Sequence, residues 1–452
     1  MLIVTAVVAG IAYADGSQHH RQLRVAANIT PPRPAGRAPG TTAAPTVAKV
    51  DEDCGPADGG STVLIYGTNL TGATAVSFGS TAASTFNVVS ATEISAISPA
   101  ETAGTASVVV TTPGGTSGSG SPAEEFTFGG CEYVANFGSG SVSVLNADLG
   151  VVTATIHLPS PSTSHHPDAV ALSSNQDVVY VADPAAGAVY PYSTRTGHLQ
   201  ESHDLTTGIE DPTAMAVGVD GTTAYLLVAN SADGTIEAFK LSSASGLPTS
   251  ASPAKIVTAP YVSGVHGLAV VPGKPEAVFA STAGNAVGEL DLSTWKLSEV
   301  ADPGGLLTEP DQVGLSTTGG TAYVTLETGP IVAIDVSTLA IAGEISGSFG
   351  KTVLTEVPSA VICPADTTCL ETNAGNDTLG TISTASSPGS ISSSPDTSPD
   401  ISGPVALALS GQIVLVADDG DARVGLYDTS TGAFTTALPV GTNPCSLAAM
   451  GA

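Results

Sequence analysis

Residues 131–452 carry an internal repeat with a spacing of 40 to 53 residues, and this repeat limits the possible folds more than any other feature of the sequence. Each copy begins with a short apolar strand behind a landmark residue, which is proline in six copies. The landmarks are Pro167, Pro212, Val265, Pro310, Pro358, Pro404 and Pro444. A larger apolar residue stands three positions after every landmark, and Ala or Gly follows it in six copies. A unit of this length cannot bury both faces of its sheet alone, so neighbouring units must stack.

A second strand follows the first strand in six copies, whereas the seventh second strand, at 133–136, precedes all of them in the chain. In chain order these strands read YVAN, YVAD, LVAN, VFAS, YVTL, LETN and LVAD. The segment therefore begins with a second strand and ends with a lone first strand at 445–450. Pairing these two strands, with Leu447 beside Tyr133, would close a ring and leave no open sheet edge.

The second strands resemble the YVTN family of β-propeller repeats, and the resemblance spans residues 131–452. It implies a seven-bladed β-propeller that is closed by pairing of its N- and C-terminal strands. The sixth blade departs from the pattern, because Glu371 lies in its second strand and 386–399 is a low-complexity stretch. We expect that blade to be irregular.

Residues 45–129 have a different pattern, with seven short apolar strands separated by turn residues. The strands are expected at 47–50, 62–66, 75–78, 86–90, 93–97, 106–111 and 125–128. The motifs CGP at 54–56, GGSTVLIYGTNL at 59–70, AVSFG at 75–79 and VTTPGG at 110–115 resemble the IPT/TIG family. That resemblance implies a small immunoglobulin-like sandwich. The whole chain is thus predicted to be all-β.

Composition and charge exclude several classes of protein. Coiled coils are excluded because only 12% of the residues are charged, while 51 Gly and 31 Pro are present. The 42% of hydrophobic residues excludes a chain that is disordered throughout. A formal charge of -29 repels phosphate backbones and anionic lipids, so we expect no nucleic-acid partner.

The first 14 residues resemble the apolar region and cleavage site of a secretory signal peptide, ending in Ala12, Tyr13 and Ala14. The apolar run is too short to span a membrane as a helix, so a permanent anchor is the weaker interpretation and the mature chain is expected to have no membrane span. Residues 15–44 are predicted to form a Pro-rich linker. We therefore expect a secreted or cell-surface protein.

The five cysteines point to two disulfides and one unpaired thiol. Cys363 and Cys369 flank a turn between two strands, and a hairpin would bring them within bridging distance. Cys54 and Cys131 stand at the ends of the candidate sandwich and could form the second bridge, leaving Cys445 free. The alternative is that these cysteines are small buried hydrophobic residues.

The loops that lead into the innermost strands of a propeller gather at one mouth of its central channel. We expect ligand-binding residues there. The candidates are His166, Asp168, Asp211, His266, Glu309, Asp311 and Glu356. Their carboxylates and imidazoles could serve as acid and base, or hold Ca²⁺ or another divalent cation, although no cofactor is implied with certainty. The alternative is that they are solvated loop charges and caps between blades.

Two functions remain. The leading interpretation is an exported, non-catalytic binding or adhesion protein, a monomer whose propeller face binds a protein or carbohydrate ligand. The alternative is an enzyme, because lactonases and lyases that resemble these repeats place their active residues at the channel mouth. The enzyme interpretation predicts that at least three side chains converge within ligand distance of one point, from the set His166, Asp168, Asp211, His266, Asp311 and Glu356.

Overall fold

The computed structural model describes residues 43–51, 54–55, 59–102, 104–118, 124–128, 131–147, 149–159, 165–194, 198–327, 329–345, 358–384, 390–396 and 401–449. The expected signal peptide, nearly all of the expected linker and Glu356 lie outside these ranges. The described residues form an all-β structure, as the sequence predicts, with one short 3-10 helix at Glu201–His203. None of their helices is long and apolar enough to cross a membrane.

The first ten strands form an immunoglobulin-like sandwich of two sheets. They are β1 (Thr46–Asp51), β2 (Cys54–Gly55), β3 (Thr62–Thr68), β4 (Ala75–Phe78), β5 (Thr81–Ala82), β6 (Thr85–Ser90), β7 (Glu93–Ile97), β8 (Gly104–Thr112), β9 (Gly115–Thr116) and β10 (Glu125–Phe128). One sheet has the order β1-β3-β7-β6, and the other has the order β2-β10-β8-β4-β5 with β9 paired to β8. Alternate residues point inward, so Val63, Ile65, Val108 and Val110 are fully buried in its core.

The remaining strands form seven antiparallel sheets in the described residues, here called blades 1 to 7. Blade 1 contains β37 (Pro444–Ala449), β11 (Glu132–Asn136), β12 (Ser141–Asn146) and β13 (Val151–His157). Blade 2 contains β14 (Ala169–Leu172), β15 (Val178–Asp183) and β16 (Ala188–Ser193). Blade 3 contains β17 (Pro212–Asp220), β18 (Thr223–Asn230), β19 (Thr235–Lys240) and β20 (Lys255–Thr258). Blade 4 contains β21 (Val265–Val270), β22 (Glu276–Ser281), β23 (Ala286–Asp291) and β24 (Lys296–Glu299).

Blades 5 to 7 repeat this order of strands. Blade 5 contains β25 (Pro310–Leu315), β26 (Thr321–Leu326), β27 (Ile331–Asp335) and β28 (Ala340–Ile345). Blade 6 contains β29 (Pro358–Ala365), β30 (Thr368–Asn373), β31 (Thr378–Ser383) and β32 (Ser390–Asp396). Blade 7 contains β33 (Pro404–Ser410), β34 (Ile413–Asp418), β35 (Arg423–Asp428) and β36 (Ala433–Pro439).

The innermost strands form a closed ring. Each of β37, β14, β17, β21, β25, β29 and β33 contacts the next in this order, and β33 contacts β37. Closure depends on β37, which pairs with β11 so that Val134 lies opposite Leu447 and Tyr133 opposite Ala448. The predicted pairing of the first and last strands is therefore confirmed, and the blades form a β-propeller.

The apolar cores of the propeller lie between neighbouring blades. One buried cluster fills each of the seven interfaces; that between blades 1 and 7, for example, contains Val134, Leu145 and Leu415. This packing agrees with the argument that no blade can bury its faces alone.

Two blades depart from the regular four-strand arrangement. In blade 6, β32 forms within the low-complexity stretch but pairs with β31 through two register shifts, as an irregular blade predicts. Blade 2 has three strands, and isolated bridges at Leu199 and Leu205 take the place of a fourth. The sequence pattern did not predict this second irregularity.

Both predicted disulfides are present. Cys54 is bonded to Cys131 and Cys363 to Cys369, while Cys445 is the free cysteine. The first bridge ties β2 of the sandwich to the residue before β11 of the propeller.

Candidate functional site

A ring of seven side chains surrounds the mouth of the central channel. This mouth ring consists of the residue after each landmark, namely Asp168, Thr213, His266, Asp311, Ser359, Val405 and Cys445. In six blades the pairing of the innermost strand shifts register at this position, which is a β-bulge. Bulges redirect side chains, and here they direct the ring residues into the channel.

A second ring lies two residues further along each innermost strand, about 6.6 Å deeper. This throat ring is wholly apolar and consists of Val170, Met215, Leu268, Val313, Val361, Leu407 and Leu447. The two rings line a cavity of about 520 Å³, which is within the size range of small-molecule sites. The site thus combines a polar entrance with an apolar floor.

In blades 2 and 3 the last residue of the second strand holds a loop at the mouth. Asn230 accepts hydrogen bonds from the amides of Glu210 (3.2 Å) and Asp211 (2.9 Å). Asp183 accepts one from the His166 amide (3.1 Å) and lies 2.5 Å from Nδ1 of His165. These buried end residues are structural, so His165 is a loop support rather than a candidate ligand group.

Three of the six polar members of the mouth ring donate a hydrogen bond to a backbone carbonyl of the neighbouring blade. Thr213 Oγ1 donates to Val265 O (2.6 Å), Ser359 Oγ to Pro404 O (2.5 Å) and Cys445 Sγ to Pro167 O (3.2 Å). In blade 4 the hydroxyl of Thr282 takes this role, donating to Pro310 O at 2.8 Å. The ring side chains that make no such bridge are Asp168, His266, Asp311 and the apolar Val405.

Asp168 is the mouth carboxylate with the most perturbed acidity. Burial raises its pKa to about 6, and the charges of Asp211 and Asp311 act in the same direction, while His266 lowers it. A carboxyl group with a pKa near neutrality is suited to proton transfer at physiological pH.

His266 and Asp311 form a dyad on neighbouring blades. Nδ1 of His266 lies 3.2 Å from Oδ1 of Asp311 and 3.4 Å from Oγ1 of Thr282. The hydrogen bond that His266 Nδ1 donates to Asp311 raises the pKa of His266; burial opposes the rise, and the charges of Asp311, Asp168 and Glu327 reinforce it. The imidazole retains 40% exposure, so it is accessible from the channel.

The other predicted site residues lie outside this group. His166 stacks on the ring of Phe137, with centroids 4.6 Å apart, and does not line the cavity. Asp211 acts on Asp168 through its charge without lining the cavity. Glu309 is exposed, and Glu356 lies outside the described residues. Within the described ranges, no group of three or more His, Cys, Asp or Glu side chains is arranged to hold a metal ion.

Sequence reasoning missed the regular use of the position after each landmark. It therefore missed Thr213, Ser359 and Cys445 as ring members, although counting one residue from each landmark would have found them. It also missed Phe137, whose place beside His166 depends on closure of the ring.

Comparison with known protein families identifies the sandwich. Residues 45–128 match the family model of the IPT/TIG domain. This stretch is an IPT/TIG domain, as its strand and glycine motifs predict. No curated protein matches the chain.

Solved structures resemble the propeller. A periplasmic gluconolactonase of Pseudomonas aeruginosa has 17% identity and a TM-score of 0.53, covering 71% of this chain and 99% of its own. A Bacteroides uniformis protein, provisionally assigned as a 6-phosphogluconolactonase, has 15% identity, the same coverages and a TM-score of 0.55. A Lactobacillus plantarum protein has 17% identity, the same coverages and a TM-score of 0.56. At these identities the likeness supports the fold alone.

Proposed function

We propose that this chain is an exported hydrolase of small uncharged lactones, with its active site at the propeller mouth. The observation that carries the proposal is that Asp168 and the His266–Asp311 dyad face one cavity while most other polar ring members bridge blades. The fold shared with a periplasmic gluconolactonase supports the lactonase alternative over the binding protein expected first. We also assign the seven blades to YVTN-type repeats, since their second strands have YVTN-like sequences and the last residue of the second strand holds the mouth loop in blades 2 and 3.

Asp168 and His266 carry out different proton transfers in ester hydrolysis. Asp168, as the carboxylate, takes a proton from water while the water oxygen bonds to the lactone carbonyl carbon. Protonated His266, oriented by Asp311, stabilises the oxyanion that forms. When the ring C–O bond breaks, His266 gives its proton to the leaving alkoxide. One lactone and one water thus give one hydroxy acid, and the enzyme is restored when Asp168 loses its proton to solvent and His266 takes one up.

Water is the nucleophile in this scheme because the nucleophilic side chains of the ring are otherwise engaged. The hydroxyls of Thr213 and Ser359 donate to backbone carbonyls. Burial raises the pKa of the Cys445 thiol, so the reactive thiolate is disfavoured.

The charge of the mouth indicates an uncharged substrate. No Lys or Arg is among the described residues that line the cavity, while Asp168 and Asp311 lie in it and Asp211 beside it. A phosphate group would be repelled there, whereas a neutral lactone would not. The carboxylate product would likewise be repelled, which favours its release.

We therefore expect kcat/KM for D-glucono-1,5-lactone to exceed that for its 6-phosphate by at least about tenfold, or about 1.4 kcal/mol. Initial rates with purified protein, corrected for spontaneous hydrolysis and repeated with EDTA, give this ratio. A preference for the phosphorylated lactone, or no rate above the spontaneous one for either, would contradict the proposal.

Export is proposed on two features. The two disulfides are typical of oxidising compartments, and the apolar segment at 2–14 resembles a signal peptide. If no lactone is hydrolysed, an adhesion or binding role at the cell surface becomes the better interpretation.

A further inference from the structure

Phe137 is an unusual residue because its aromatic ring is exposed. It lies in the turn between β11 and β12 and is 38% exposed, whereas the other aromatic side chains in the described ranges are buried or half-buried. Exposing an aromatic ring to water forgoes the free energy of burying it. A ligand that covers the ring would recover that free energy.

The Phe137 ring is held rigidly at the edge of the mouth. It stacks on the His166 imidazole with an interplanar angle of 19°, so one of its faces is occupied. The Phe137 amide donates to Asn443 O (2.9 Å) and faces the Cys445 thiol of the mouth ring. His166 is tied to Asp183 through its own amide. The Phe137 backbone thus lies beside Cys445 of the mouth ring, and the stacked imidazole restricts the Phe137 side chain on one face.

We propose that the Phe137–His166 pair is a platform on which the apolar C–H face of a saturated six-membered ring stacks. This proposal deepens the proposed function, since the ring would be that of a δ-lactone whose carbonyl reaches Asp168 and His266. The platform supplies apolar contact but no charge, which suits an uncharged ring that carries hydroxyls at its rim. Phe137 is then a specificity residue that acts on binding, while the proton transfers depend on Asp168 and His266.

Binding of D-glucono-1,5-lactam, a stable analogue of the δ-lactone, tests the platform without any hydrolysis. By calorimetry, F137L is expected to raise the Kd at least about fivefold, because leucine keeps an apolar side chain but offers no flat face. The matched variant F137Y keeps the aromatic face and should stay within about twofold of the wild type. The His166 ring signal, assigned by its loss in H166Q, should shift on lactam addition.

Unchanged affinity in F137L, a His166 signal that does not move, or no lactam binding to the wild type would each overturn the platform. The outcome is separable from that of the proposed function. Hydrolysis with lactam binding that is insensitive to F137L removes the platform and leaves the hydrolase. Lactam binding that depends on Phe137 without hydrolysis retains the platform and removes the hydrolase.

Discussion

Replacing Asp168 with Asn should lower kcat/KM for an uncharged δ-lactone by roughly 10²- to 10⁴-fold. The amide fills the same space but cannot accept the proton of water, so the attack on the carbonyl loses its base. H266Q should cause a loss of similar order, because it removes the proton donor and the cation at the oxyanion. Initial rates at pH 6.5, with folding checked by circular dichroism, measure both effects.

The matched control for D168N is D220N. Asp220 ends the innermost strand β17 at the end opposite the mouth, where it accepts a hydrogen bond from Ser293. Its replacement makes the same chemical change far from the cavity and should leave kcat/KM within about twofold. If D168N retains more than a tenth of the wild-type kcat/KM, Asp168 is not the base.

Deleting residues 441–452 should destabilise the propeller as a whole. The deletion removes β37, which covers Tyr133 and Val134 on β11 and contacts the innermost strands of both neighbouring blades. Exposing these apolar residues to water lowers the free energy of unfolding by roughly 5 kcal/mol or more, which is comparable to the whole stability of a typical domain. We expect no cooperative propeller unfolding transition in urea, measured by circular dichroism, and no lactone hydrolysis.

Deleting only 450–452 provides the control, because β37 ends at Ala449. That variant should unfold at the same urea concentration as the full chain. A truncation at 441 that unfolds like the full chain would show that β37 does not close the ring.

The sequence predicted the propeller because the repeat is a pattern of burial that the fold must satisfy. Landmark spacing located the innermost strands, and the displaced first and last strands predicted closure to within one residue of the observed register, in which Leu447 pairs with Val134. The IPT/TIG motifs fixed the sandwich in the same way, since their alternating apolar residues form its core. For both the propeller and the sandwich, the local pattern of apolar residues was sufficient to predict the fold.

The site was harder to predict because the role of each mouth-ring residue depends on its contacts with the next blade. Whether a mouth-ring side chain bridges blades depends on a carbonyl far away in the chain, 52 residues for Thr213 and Val265 and 278 residues for Cys445 and Pro167. The sequence placed charged candidates at the mouth but could not separate Asp168 and His266 from His166, which stacks on Phe137 and does not line the cavity. Blade 2 likewise has three strands with isolated bridges at Leu199 and Leu205, which the repeat pattern does not indicate.

The pH dependence of kcat/KM for D-glucono-1,5-lactone tests the central claim most directly. Activity should fall below about pH 6 as Asp168 becomes protonated, and again above the raised pKa of His266 as the imidazolium is lost. D311N replaces the charged acceptor that raises this pKa with a neutral amide, so the alkaline limb should move to lower pH. A bell-shaped profile with these limbs is the predicted result. A protein-dependent rate that rises steadily with hydroxide through pH 8, or one whose alkaline limb D311N leaves in place, would contradict the assignment of Asp168 as base and His266 as acid.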